Sequence, residues 1–103
     1  MATSCVAAAG KGNFWVVSHR KMDHDALSWS GPFFSALQTS FEGAQQFAKI
    51  NANEEEEYHI HAGEARVNGH LLAASTQPHD SSPLEAQMVI QKFADRICTH
   101  LSA

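Results

Sequence analysis

A chain of 103 residues is the size of one domain and too short for two independent cores. With 44% apolar and 17% charged residues it is a globular composition, which excludes an intrinsically disordered chain. The net charge is −4 at a pI of about 5.9. Only Arg20 and Lys21 are adjacent among the basic residues, so a sequence-independent grip on nucleic acid is not expected.

Residues 1–12, MATSCVAAAGKG, carry no amphipathic stripe and no basic stretch ahead of a long apolar run. They read as a flexible tail without a secretory signal, followed by a single domain over 13–103. No apolar run approaches the ~20 residues needed to span a bilayer. A cytoplasmic location and no membrane partner are the expectation. Residues 13–20, NFWVVSHR, are aromatic and β-branched, the mark of a strand. Both of its faces begin apolar, which suits a covered, central position. The polar stretch 21–26 then leads to LSWSG, where Leu27 and Trp29 alternate with serines. The two runs predict a hairpin, ended by Gly31-Pro32. Phe33 and Phe34 anchor the connection that follows.

Thr39 and Glu42 have capping-box spacing, which predicts a helix over 40–51. The four glutamates at 54–57 read as a solvated connection. A strand over 58–62 follows. Asn68-Gly69 then predicts a two-residue turn that pairs Val67 with His70, Ala65 with Leu72 and Gly63 with Ala74. After a loop at 76–82, Ser82-Pro83-Leu84-Glu85 opens the clearest element, a helix over 83–101. At 100° per residue Ala86, Val89, Ile90, Phe93, Ala94, Ile97 and Leu101 form one apolar stripe. The elements predict an α+β fold of order ββαββα. Its form is two-layer: an antiparallel sheet of about four strands with two helices on one face.

The compositional oddity is histidine, with seven in the chain. His59 and His61 share a strand face, and the predicted turn adds His70 to it. These three are the candidate zinc ligands. Asp23, His24 and Asp25 form a second group of ligand-type side chains. There is no HExxH motif, CxxC pair, GxGxxG motif or P-loop. Ser18 beside His19, and Ser81-Ser82 near His79 and Asp80, hold triad residue types but as sequence neighbours, which rarely build a triad. Cys5 and Cys98 read as two free thiols of a reducing compartment, with a disulfide between them as the alternative.

The segment GPFFSALQTSFEGAQQFAKI resembles the Gly-Pro-Phe plus Ala-spaced helix of SPOR-type peptidoglycan-binding domains. The resemblance rests on Gly31, Pro32, Phe33 and Ala44 and covers about one fifth of the chain. It assigns no site residue. The functional expectation is a small non-catalytic module that binds or inhibits another protein, acts as a homodimer and needs no cofactor. Trp15, Leu27 and Trp29 are its candidate partner-facing residues. The alternative is a small metal-binding or histidine-dependent enzyme or sensor built on His59 and His61, with zinc as its cofactor.

Overall fold

The computed structural model describes residues 5–6, 10–74 and 81–102. Strands β1 (Gly12–Asp23), β2 (Ser28–Gln38), β3 (Glu56–Ala65) and β4 (Leu71–Ala73) form one antiparallel sheet in the order β2-β1-β3-β4. Helix α1 (Phe41–Asn51) separates the two hairpins. Helices α2 (Pro83–Lys92) and α3 (Ala94–Ser102) close the chain. This is an α+β fold with the order ββαββα, its last helix divided in two. Among the described residues no helix is long and apolar enough to cross a membrane.

The helices do not share one face, as expected from the sequence. They cover both. The register of β1 on β3 runs unbroken from Gly12 opposite Ala65 to Lys21 opposite Glu56, so successive β1 side chains alternate strictly between faces. Phe14 and Val16 meet Ile90 of α2 and Ile97 of α3. Trp15 and Val17 pack instead with Ala44 of α1, flanked by Phe41 and Phe47. The physical reason lies in β1 itself: Phe14-Trp15-Val16-Val17 is apolar at every position, and both faces must therefore be removed from water.

Three local features also depart from the sequence reading. First, Gly31-Pro32 does not end β2. The strand continues to Gln38, and the register shifts on passing the pair. Gly31 adopts φ +119°, and the Gly31–Pro32 peptide is cis. β2 is an edge strand, where a proline without an N–H removes no ladder bond from a neighbour. Second, the acidic run is half strand rather than connection. Glu56 stands opposite Lys21 and Glu57 opposite Arg20, a cross-strand match of opposite charges.

Third, the Asn68-Gly69 hairpin uses a three-residue loop. The Arg66 N–H donates to His70 O at 2.9 Å and the Gly69 N–H to Arg66 O at 2.8 Å, with Gly69 at φ +84°. A left-handed residue closing a three-residue loop favours glycine. The observed pairs are Ala65 with Leu71, Glu64 with Leu72 and Gly63 with Ala73. That is one residue away from the expected register, and a one-residue slip exchanges the faces of the whole returning strand.

The first helix is capped by Ser40, not Thr39. The Ser40 hydroxyl accepts from the Gly43 N–H at 3.0 Å. Gly43 occupies the position at which a capping box needs a carboxylate, so the hydroxyl acts alone. Ser82 caps α2 as expected, accepting from the Glu85 N–H at 3.1 Å ahead of Pro83. Ser82→Ala and Ser40→Ala are each expected to cost ~1 kcal/mol through the lost cap bond. Thr39→Ala is expected to leave the start of α1 unchanged. Residue-resolved amide hydrogen exchange checks all three: faster exchange is expected in the first turn after each serine change only.

Candidate functional site

Strand alternation puts His59 and His61 on the α2 face of β3, but their settings differ. His61 is fully buried. Its Nε2 lies 2.7 Å from Ser18 Oγ on the neighbouring β1, and its Nδ1 lies 2.8 Å from Ser81 Oγ, just ahead of α2. A neutral imidazole offers one donor and one acceptor, and a hydroxyl serves in either role, so the line Ser18–His61–Ser81 is satisfied in either tautomer. Ser18 is only 1% exposed. A Ser–His contact is the beginning of a nucleophile–base pair, yet this hydroxyl is closed to solvent. What the arrangement does in the fold is join β1, β3 and the residue preceding the α2 cap. His79 and Asp80 lie outside the described residues.

His59 is half-buried and contacts the Glu57 carboxylate at 2.5 Å, two positions along the same strand face. His70 does not join the pair. With Leu71 opposite Ala65, His70 falls on the other side of the sheet and is exposed. The expected trio His59, His61 and His70 is therefore not assembled. Among the described residues no three His, Cys, Asp or Glu side chains are arranged to hold a metal ion. In the second acidic–histidine group, Asp23 Oδ1 accepts from the Asp25 and Ala26 N–H groups at 3.0 and 3.1 Å, which shapes the β1–β2 turn.

On the α1 face, His19 makes its polar contact not with its sequence neighbour Ser18 but with Ser35 of β2. Its ring lies between Phe33 and Tyr58, with centroids 5.3 and 5.5 Å away, and its Nδ1 is 2.5 Å from Ser35 Oγ. Burial, then the neighbouring Glu56 carboxylate, push the Tyr58 hydroxyl above its ordinary pKa. The histidine and tyrosine come from paired positions of β1 and β3, a relation visible only once the strands are in register.

The expected aromatic patch divides. Trp15 is a core residue under α1 and is not presented to a partner. It pairs with Gln38, whereas Trp29 pairs with Met22 at the far end of the hairpin. The two tryptophans lie on opposite faces because Trp15 and Met22 differ in parity along β1. Trp29 is 40% exposed and Leu27, at φ 52° in the turn, is 84% exposed. Elsewhere on the hairpin, Arg20 of β1 and Pro32 of β2 meet Glu85, Met88, Val89 and Lys92 of α2 around a cavity of about 210 Å³. The outer side of α2 adds two more exposed apolar residues, Leu84 and Met88. Pro32, Met88 and Val89 supply the apolar part of the cavity lining, and Arg20, Lys92 and Glu85 add charges of both signs.

No family model, no curated protein and no solved structure matches this chain. The resemblance of residues 31–50 to SPOR-type domains is accordingly not accompanied by a match to that family.

Proposed function

We propose that the chain is a non-catalytic protein-interaction module that pairs with a second copy of itself through the outer end of the β1–β2 hairpin and the adjoining side of α2. The observation that carries this reading is Trp29, a large aromatic left 40% exposed on the strand that also supplies Pro32 to the cavity against α2. Tryptophan is among the residue types that dominate interface energies, because it buries much area while losing few rotamers. Leu27 in the hairpin turn and Leu84 and Met88 on α2 are further exposed apolar residues of these two elements. The charges favour self-association over a strongly charged partner. Arg20 and Lys92 stand on the cavity rim with Glu85, so a two-fold-related copy can set opposite signs against each other.

Light scattering on a sizing column at micromolar concentration tests the proposal. A dimer mass is expected for the wild-type chain. Trp29→Ala is expected to weaken the dimer by ~30-fold or more, the effect of losing an interface anchor of ~2 kcal/mol. Acrylamide quenching adds a local readout: in the dimer Trp29 becomes as protected as buried Trp15, and in the variant only the protected population remains. A monomer mass at ~100 µM, with half of the emission still open to quencher, would sink the proposal.

A further inference from the structure

Cys5 and Cys98 stand near opposite ends of the sequence, and nothing in their spacing links them. The fold brings them together. Both are partly buried against the cluster that contains Phe14, Leu71, Ile90 and Ile97. Cys5 is held there by its backbone: its N–H donates to Gly69 O at 2.6 Å, across the β3–β4 turn. The approach is close enough that a Cβ built on Gly69 would lie 2.7 Å from Cys5 O. Cys98 reaches the same cluster from α3, and Cys5 is among the neighbours that act on its thiol. We propose that Cys5 and Cys98 form a reversible disulfide that fastens the amino-terminal segment, over the β3–β4 turn, to α3.

The oxidant is a low-molecular-weight disulfide. One cysteine thiolate attacks it, forms a mixed disulfide and releases the first small thiolate. The second cysteine then attacks the protein sulfur of that mixed disulfide, closes the internal bond and releases the second small thiolate. Two electrons pass from the two cysteines to the small disulfide, and the two thiol protons end on the two small thiols. Burial, then contact with Cys5 and the charge of Asp95, push the Cys98 thiol up to about 12. Because the thiolate is the attacking species, closure should accelerate as the pH rises.

Incubating the full chain with oxidised glutathione, followed by thiol titration, intact mass and peptide mapping, tests the assignment. The expected product is a chain with no disulfide to another copy and no free thiol, a mass lower by two hydrogens and one cross-linked peptide containing Cys5 and Cys98. A covalent loop spanning nearly the whole chain should raise the melting temperature by more than ~10 °C, reversed by dithiothreitol. Cys5→Ser changes a residue outside every strand and helix. It should fold, keep one titratable thiol and lose the melting response to oxidation. Two thiols still free, a glutathione adduct that never closes, or a disulfide found only between two chains would each overturn the proposal.

Discussion

Ile97→Ala is expected to destabilise the protein by ~2–5 kcal/mol, the range for truncating a fully buried aliphatic side chain. Ile97 is fully buried and lies in the cluster formed by Phe14, Val16, Leu71 and Ile90. Alanine removes three carbons from a site walled by both helices and the sheet. A void there cannot collapse without moving α3, which is held to α2 through the turn at Phe93. A single domain of this size has a total stability of ~5–15 kcal/mol, so the change consumes a large fraction of it. Phe93→Ala is the instructive comparison. Phe93 belongs to the same sequence stripe but is only partly buried, with an edge-on contact to Phe34 at 5.7 Å. It should cost less than Ile97→Ala despite its larger side chain. Urea melts of the three proteins decide this, and equal midpoints for wild type and Ile97→Ala would mean that α3 does not pack as described.

The elements readable in the sequence are those whose signals are local. Ser82-Pro83 fixes where α2 begins, because the hydroxyl bond and the proline φ act within four residues. The 3.6-residue stripe over 83–101 finds the buried side of both closing helices. It does not find the break at Phe93, where no glycine or proline stands and the chain turns as Phe93 meets Phe34 of β2. Gly31-Pro32 carries a turn signal whose meaning depends on strand position. At an edge it marks an irregularity in the strand, and nothing in the dipeptide reports that β2 is an edge. Asn68-Gly69 likewise serves a two- or a three-residue loop. Here the Asn68 side chain accepts from the His70 N–H at 3.1 Å, and the longer loop places Leu71 rather than Leu72 in the core.

The candidate sites were less legible for the same reason. Ser18, His61 and Ser81 come from three separate segments, and Cys5 and Cys98 pack against one cluster from opposite ends of the chain. Such contacts are set by register and helix placement, neither of which has a periodic trace in the sequence. The alternation of Leu27 and Trp29 with serines predicts a strand with one apolar, covered face; instead Leu27 lies in the turn, 84% exposed, and Ser28, Trp29 and Ser30 are all exposed.

The largest effects are expected where β1 crosses β3. Phe14 is fully buried opposite Gly63, and a Cβ built on Gly63 would lie 2.3 Å from Phe14 Cε1 and 2.4 Å from Cζ. The ring occupies the space that any other residue on β3 would fill. Phe14→Ala is therefore expected to cost ~3–5 kcal/mol, as for a buried phenylalanine, and the absent Gly63 side chain leaves nothing on β3 to close the void. Gly63→Ala fails for the opposite reason. The added methyl cannot enter unless the ring moves, and the ring is enclosed by α2 and α3, so overpacking should cost ~1–3 kcal/mol or more. The two positions share one volume and should not behave independently. In the double variant Phe14→Leu with Gly63→Ala, the smaller side chain vacates the space that the methyl needs. Its loss of stability should be smaller than the sum of the losses in the single variants Phe14→Leu and Gly63→Ala by ~1 kcal/mol or more, within the coupling range of residues in contact. Denaturant melts of the four proteins measure that difference. Strict additivity would show that the ring and the glycine do not meet, and with that the register of β1 on β3 would have to be redrawn.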